Sequence, residues 1–137
     1  MKYMLLIYVD ESRLSEGERE QCYAESAQYA RILGKRGQYL LAAPLQPTST
    51  ATSVRIEAGK RLVTDGPFAE TREQLGGFFL IDAKNLDDAI DIAGQIPAGR
   101  WGTVEIRPVI EVSGLPSGLS SGLAAEPDVD FGRSRST

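Results

Sequence analysis

Two short segments of this sequence are apolar at every position, and this pattern limits the folds open to the chain more than any other feature. The first segment spans residues 3–9, Tyr-Met-Leu-Leu-Ile-Tyr-Val, and the second spans residues 78–81, Phe-Phe-Leu-Ile. Successive side chains of a strand point to opposite faces of a sheet, so a strand without polar positions has two faces to bury. The two segments therefore predict strands that are covered on both sides.

Two helices are predicted from their start signals and from apolar positions at helical spacing. Ser15 and Glu18 have the S-x-x-E spacing of a capping box, which predicts a helix over about residues 15–36. Asn85 starts the second helix, and Pro97 closes it. The positions expected to face the core are Cys22, Ala27, Ala30 and Leu33 in the first helix, and Leu86, Ala89, Ile90, Ala93 and Ile96 in the second.

Further segments of the chain have strand character. Residues 39–43 predict a strand that stops at Pro44, and residues 52–56 and 61–63 predict a small hairpin around Ala58-Gly59-Lys60. Residues 103–112 alternate between two faces. On this last strand we expect Val104, Ile106, Ile110 and Val112 to face the helices, and Thr103, Glu105, Arg107, Val109 and Glu111 to face away.

The order of these elements predicts an α+β fold, a ferredoxin-like βαββαβ sandwich with an inserted hairpin. Both helices of such a sandwich pack on one face of an antiparallel sheet. The other face, which carries apolar side chains of residues 3–9 and 78–81, then needs a different cover. We expect a second copy of the chain to supply it, which gives a homodimer whose sheets pack face to face.

The composition changes after residue 112 and divides the chain into two parts. Residues 1–112 form the predicted domain, and residues 113–137 form a tail rich in Ser, Gly and Leu, in which Ser-Gly-Leu recurs every four residues. Two interpretations of the tail stay open. It is either a flexible segment, or a segment that docks through Leu115, Leu119 and Leu123 on a neighbouring subunit.

The absence of histidine excludes many kinds of catalytic site. The 137 residues contain no histidine and one cysteine, Cys22, so the chain has no Ser-His-Asp triad, no Cys-His pair and no His-ligated metal. No cofactor is expected. The net charge of −4 disfavours a nucleic-acid partner, because such partners are bound by an excess of positive charge.

No segment of the sequence indicates a membrane span or an export signal. The apolar run at the N-terminus is short, ends at Asp10 and lacks a small-residue cleavage site. No stretch approaches the ~20 apolar residues of a membrane span. The single cysteine excludes an internal disulfide and fits a reducing compartment. We therefore expect a cytoplasmic protein without a membrane partner.

Asp65, Glu70 and Arg72 are the candidate site residues of the central segment. Asp65 begins an Asp-Gly-Pro turn, where its carboxylate serves either the turn itself or proton transfer at the mouth of a cleft. If the segment is extended, Glu70 and Arg72 share a face, and the pair could hold a small polar ligand, with the guanidinium gripping an anionic group. The alternative is a solvent-facing ion pair that contributes little.

Glu105, Arg107 and Tyr8 are the candidates on the predicted sheet. Glu105 and Arg107 alternate with apolar residues, so they are expected to face the space between two paired sheets. Charged groups in such a space must be paired or used in function. Arg107 either anchors an anionic ligand or forms, with Glu105, a structural bridge across the dimer interface. Tyr8 either offers its hydroxyl to this cleft or packs as a core tyrosine.

Three segments resemble the DGPF subgroup of the YCII-related proteins. The most specific is residues 63–78, Val-Thr-Asp-Gly-Pro-Phe-Ala-Glu-Thr-Arg-Glu-Gln-Leu-Gly-Gly-Phe, and the others are residues 2–8 and 97–108. The resemblance covers about residues 2–112 and implies a dimeric α/β-barrel of ferredoxin-like subunits. Many members of the wider family carry a His-Asp pair in the cleft. This chain has no histidine, so no histidine-dependent mechanism carries over to it.

Three hypotheses about function follow. The first is a small-molecule binder or enzyme, in which Arg72 and Arg107 hold an anionic or phenolic metabolite in a cleft between sheet and hairpin, and Asp65 or Glu70 moves a proton. Its chemistry would be cofactor-independent acid/base catalysis of the isomerase or lyase type. The second is a non-catalytic ligand-sensing or protein-interaction module, since the resemblance implies an association of some DGPF-type domains with sigma factors. The third is structural, with the cleft filled by aromatic side chains.

Overall fold

Six strands and two helices make up the computed structural model, which describes residues 1–116 of the 137. In chain order they are β1 (Lys2–Val9), α1 (Glu16–Lys35), β2 (Tyr39–Pro44), β3 (Thr52–Glu57), β4 (Lys60–Asp65), β5 (Gln74–Asp82), α2 (Leu86–Ala93) and β6 (Gly102–Pro108). Short 3-10 turns lie at Glu11–Arg13, Thr48–Thr50 and Pro97–Trp101. Most of the predicted tail, with Leu119 and Leu123, lies outside the described residues.

The main sheet has the strand order β2-β5-β1-β6, and all neighbouring strands are antiparallel. β1 and β2 are therefore parallel with β5 between them, and β5 and β6 are parallel with β1 between them. Each parallel pair is joined through a helix, so the sheet contains the two split βαβ units that the sequence predicts. β3 and β4 pair only with each other, which confirms the predicted hairpin between the two units.

Local side-chain hydrogen bonds begin both helices where the sequence predicts. The Glu18 amide donates to Ser15 Oγ (3.1 Å), and the Ser15 amide donates to Glu18 Oε1 (2.9 Å), which completes the capping box of α1. At α2, the Asp88 amide donates to Asn85 Oδ1 (2.9 Å). These bonds satisfy amide groups that have no partner within the helix, and thereby fix where each helix starts.

The hydrophobic core lies between the two helices and one face of the main sheet. Residues Tyr3, Leu5, Ile7 and Val9 of β1 alternate with half-buried neighbours and point into this core. The Tyr29 hydroxyl of α1 donates to the Ile92 carbonyl of α2 (2.9 Å), so the two helices are also linked by a buried hydrogen bond. Burial raises the pKa of the Tyr29 hydroxyl, which keeps it a donor.

The opposite side of the main sheet, called the open face from here on, is covered by neither helix. On β1 it carries the half-buried Met4, Leu6 and Tyr8, which confirms that this strand has two apolar faces. The register places Leu80 and Phe78 of β5 beside Met4 and Leu6. β6 is the edge strand on the other flank of β1, and on the same open face it carries polar side chains: Thr103 opposite Tyr8, Glu105 opposite Leu6, and Arg107 opposite Met4.

The structure corrects the predicted inner stripe of α2. Ala89, Ala93 and Ile96 are buried as expected, but Leu86 and Ile90 are about half exposed. Ile92 occupies the core position instead, where it contacts the buried cluster. A helix of eight residues presents only a narrow stripe to the sheet, so the stripe centred on Ala89 and Ile92 leaves Leu86 and Ile90 outside it.

The structure also corrects the end of the last strand. β6 ends at Pro108, and Ile110 and Val112 are 82% and 58% exposed instead of facing the helices. The reason is the length of the neighbouring strand. Pro108 already pairs with Tyr3, and the Val109 amide donates to the Lys2 carbonyl (3.0 Å) at the very start of β1. Beyond this point no strand is left for the alternation to follow.

Candidate functional site

A cavity of about 540 Å³ lies between α1 and the main sheet, on the side that carries the core. One side of α1 forms its helical wall, because the lining positions repeat at intervals of three and four residues. These positions are Arg19, Cys22, Tyr23, Ser26, Ala27, Ala30, Arg31 and Gly34. β1, β2 and β5 form the opposite wall, and the loop after β2 contributes Leu45 and Pro47.

The cavity exists because short side chains meet from both walls. On α1, the central lining positions are Ser26, Ala27 and Ala30. On the sheet, Ala42 of β2 and the pair Gly76-Gly77 of β5 lie across from them. Larger side chains on α1 or at Ala42 would fill the gap between helix and sheet, as they do elsewhere in the core. At Gly76 and Gly77 the absence of a side chain lets β5 pack closely against Val9 and against the backbone of β2. A volume of this size lies within the range of small-molecule sites in proteins.

Charged groups are few in the cavity wall, and positive ones predominate. Arg19 and Arg31 reach the cavity from α1, and Glu11 reaches it from the turn after β1. The Glu11 carboxylate accepts two hydrogen bonds from Thr48, one from its amide (3.0 Å) and one from its hydroxyl (2.8 Å). Within residues 1–116, neither arginine makes a salt bridge. The wall is therefore mainly apolar, with two guanidinium groups available to an anion.

Cys22 is buried and lines the cavity. Burial raises the pKa of its thiol, and the nearby Arg100 only partly opposes this shift. The thiol form is therefore favoured at neutral pH, and a neutral thiol is a poor nucleophile. The burial agrees with the core-facing position that the sequence predicts for Cys22, and it gives Cys22 a place in the apolar wall.

Three of the predicted site residues, Tyr8, Glu105 and Arg107, lie together on the open face. Arg107 Nε donates to Glu105 Oε2 (2.9 Å), and this bond lowers the pKa of Glu105, with a smaller contribution from the Tyr8 hydroxyl. Arg107 itself is exposed. Beside them, the Thr103 hydroxyl donates to Glu73 Oε1 (2.9 Å). These side chains lie across the sheet from the cavity and do not line it.

The other three predicted site residues, Asp65, Glu70 and Arg72, are all exposed and do not line the cavity. Asp65 ends β4, and Gly66 follows it with a positive φ of 103°, as the predicted Asp-Gly-Pro turn requires. Residues 66–73 form no regular strand, so the alternation that would place Glu70 and Arg72 on one face does not apply. Arg72 lies near Asp10, whose pKa is lowered first by a hydrogen bond from Ser12 and slightly by Arg72.

The cavity and its two arginines were not predicted from the sequence. Arg19 and Arg31 look like ordinary charged residues of an exposed helix face. The only available signal was the clustering of small residues at Ala42-Ala43 and Gly76-Gly77, together with the small residues Ser26, Ala27 and Ala30 in the first helix. No group of three His, Cys, Asp or Glu side chains is placed to hold a metal ion in residues 1–116. Over the same residues, no helix is both long and apolar enough to cross a membrane.

Comparison with known proteins assigns the chain to a family. The YCII-related domain matches residues 1–113, most of the chain. The protein belongs to the YCII-related family. An uncharacterised protein of Rhizobium meliloti is 40% identical to this YCII-related chain over 114 residues, which are 80% of the chain and 92% of the relative.

A solved structure with a similar fold comes from an enzyme. This is 5-chloro-2-hydroxyhydroquinone dehydrochlorinase (TftG) from Burkholderia phenoliruptrix, in complex with 2,5-dihydroxybenzoquinone. The TM-score is 0.50 and the sequence identity is 15%, and the match covers 82% of the YCII-related chain and 96% of the enzyme. At this identity the similarity concerns the fold, which is that of a mixed α+β domain with antiparallel sheets and two helices.

Proposed function

We propose that this YCII-related protein binds a small anionic aromatic metabolite, a phenolate or hydroxyquinone, in the cavity between α1 and the main sheet. The observation that supports this most is the composition of the wall: a mainly apolar cavity of about 540 Å³ with Arg19 and Arg31 at its edge. Apolar walls bind a planar ring, and a few charged groups orient it. A guanidinium group suits an ionised oxygen, because it donates two parallel hydrogen bonds.

The bound molecule of the structural neighbour supports this class of ligand. TftG was solved with 2,5-dihydroxybenzoquinone, a small planar ring with two acidic hydroxyl groups. Such a molecule combines the two properties that the wall of the cavity favours, an aromatic-sized apolar body and negative charge. The proposal extends this ligand class to the present chain.

The binding test uses 2,5-dihydroxybenzoquinone as the probe and isothermal titration calorimetry as the measurement. We expect Arg19→Gln and Arg31→Gln each to weaken binding about tenfold, because each removes a charge-assisted hydrogen bond. Arg13→Gln is the matched control, since Arg13 lies in the turn beside α1 and does not line the cavity. The 2,5-dimethoxy analogue, which cannot ionise, should bind much more weakly than the probe.

Two results of this titration would contradict the proposal. One is equal weakening by Arg13→Gln and by the two cavity variants, which would mean that only the overall charge matters. The other is equal affinity for the probe and its dimethoxy analogue, which would remove the anionic group from recognition. Binding of the probe without any conversion favours the alternative function, a ligand-sensing module, over catalysis.

Catalysis by Asp65 or Glu70 with a ligand contact at Arg72, and ligand binding by the Tyr8, Glu105 and Arg107 group, are separate proposals for other places on the chain, because none of these residues lines the cavity. Asp65 and Glu70 are exposed, so proton transfer at either carboxylate requires a substrate that reaches the loop after β4. Tyr8, Glu105 and Arg107 require a substrate between two paired sheets. Acid/base chemistry of the isomerase or lyase type needs no cofactor at these residues.

Membership of the DGPF subgroup rests on Asp65-Gly66-Pro67-Phe68 and its flanks.

We also propose that the open face is covered by a second copy of the chain, which makes the protein a homodimer of the α/β-barrel type. The open face carries the half-buried Met4, Leu6 and Phe78 beside the buried Leu80 on the two central strands. A continuous apolar patch of this kind on a soluble chain is typical of an association surface. A two-fold axis is the simplest operation that buries the same patch on both subunits.

Leu6→Glu should separate the two subunits. The new carboxylate lies at the centre of the open face and opposite Glu105, so it brings an unpaired negative charge into the proposed interface. We expect the sedimentation coefficient at micromolar concentration to be lower in the variant than in the parent protein, because the open-face contact is lost. Ile32→Glu is the control, because Ile32 is an exposed apolar residue on α1, which packs on the other side of the sheet. A monomeric parent protein, or equal dissociation by the control, would contradict the open-face dimer.

A further inference from the structure

The β3–β4 hairpin has one apolar face that nothing in the described chain covers. Val54 pairs directly with Val63, and Ile56, two residues along β3, lies on the same face. These three side chains are 59%, 60% and 66% exposed. The other face is mostly polar, and on it Arg55 forms an ion pair with Glu57 (3.9 Å). The hairpin is thus amphipathic, although it stands in water on both sides.

The hairpin is attached to the domain mainly through its base. The Gly66 amide donates to the Ala51 carbonyl (2.8 Å), and the Ser53 hydroxyl donates to the Gly66 carbonyl (2.7 Å). No helix or other strand within residues 1–116 packs extensively against β3 or β4. An isolated two-stranded hairpin is only marginally stable in water. A third layer over the apolar face would supply the burial that the hairpin lacks.

The charges at the two ends of this face indicate what the third layer is. Arg61 and Asp65 lie on the same face of β4 as Val63, one on each side of it at two residues' distance. Two such faces can pack against each other around a two-fold axis that lies between them, beside Val63 and perpendicular to the strands. The strands of the two copies then run in opposite directions. Arg61 of each copy therefore lies on Asp65 of the other, while Val54 and Val63 meet their own counterparts.

We propose that the hairpins of two copies of this chain pack face to face in this antiparallel arrangement. The contact uses Val54 and Val63 as its apolar centre and two Arg61–Asp65 ion pairs at its ends, and Ile56 beside Arg61 packs on Thr52 of the second copy. The face is complementary to itself in charge and is apolar at its centre, as a two-fold contact requires. The proposal uses neither the cavity nor the open face, so it stands or falls independently of the proposed function.

Cross-linking by a short bis-maleimide in the full-length chain tests this arrangement. Two β faces that pack against each other lie about 10 Å apart, which is too far for a direct disulfide but is bridged by such a reagent. In a chain with Cys22→Ala, Val63→Cys places a single thiol beside the proposed axis and across from its counterpart. We expect rapid formation of a covalent dimer with this reagent at low micromolar concentration. Thr64→Cys, the next residue on the opposite face, is the matched control and should cross-link at least about tenfold more slowly. Equal rates for the two variants, or no cross-linking of Val63→Cys, would overturn the proposal.

Charge reversal tests the ion pairs separately. Arg61→Asp should slow the cross-linking of Val63→Cys at least about tenfold, because it sets like charges against each other at both ends of the contact. Adding Asp65→Arg restores opposite charges and should restore the rate. If the double variant does not recover the rate of cross-linking, the proposed two-fold register is wrong, whatever the rate of Arg61→Asp alone.

Discussion

Ala30→Phe is expected to abolish binding of 2,5-dihydroxybenzoquinone while leaving the fold intact. Ala30 lies on the cavity side of α1, and a phenylalanine at this position projects into the space that the ligand would occupy. We expect the affinity to fall at least about 100-fold, or about 2.7 kcal/mol. The added ring fills an existing gap, so the free energy of unfolding should change little or increase. Calorimetric titration and thermal unfolding measure the two effects.

Ala24→Phe is the matched control for this substitution. Ala24 is exposed on the outer side of α1 and does not line the cavity, so the same change in size and helix propensity should leave binding unaltered. Retained affinity in Ala30→Phe would show that the ligand binds elsewhere on the chain. Loss of affinity in both variants would point to a general disturbance of α1.

Gly102→Ala should destabilise the domain by about 2–4 kcal/mol, which corresponds to a loss of roughly 10 °C in Tm. Gly102 begins β6 in an extended conformation that any residue can adopt, so backbone strain is not the reason. The reason is space. A methyl group at this position would lie far inside van der Waals contact of the Tyr8 carbonyl oxygen on β1. β1 is a central strand and cannot move aside without disturbing the core.

The control for Gly102→Ala is Gly17→Ala, in the first turn of α1. No atom lies within 4 Å of the methyl group that this substitution adds. Alanine also has the higher helix propensity, so we expect the stability to stay equal or to rise by up to about 1 kcal/mol. Similar Tm values for the two variants would mean that β6 can shift on β1 more easily than the structure indicates.

Much of the fold could be predicted because its signals are local. The capping box of Ser15 and Glu18 marks the start of α1 within a few residues of chain. The Ala58-Gly59 turn of the hairpin, with positive φ at both positions, is likewise set by adjacent residues. The two apolar faces of β1 follow from alternation alone and were confirmed. These features depend on near neighbours in the sequence, which a single sequence displays.

The failures concern relations between distant segments. The phase of α2, with Ile92 inside and Leu86 outside, is set by how the helix rests on the sheet and not by its own pattern. The end of β6 is set by where β1 begins. The cavity was missed for the same reason, because Ala30 and Gly76 are about 46 positions apart and look unremarkable singly. Only the packed structure shows that several short side chains meet at one place.

The origin of the cavity in short side chains has a consequence for how such a protein diversifies. The backbone around it is held by the helix caps, the sheet register and the Tyr29–Ile92 bond, none of which depends on what fills the space. Single substitutions at Ala27, Ala30 or Ala42 can therefore change the size and shape of the cavity in small steps without changing the backbone around it. Homologous proteins can in this way evolve to bind ligands of different sizes while they keep the same fold.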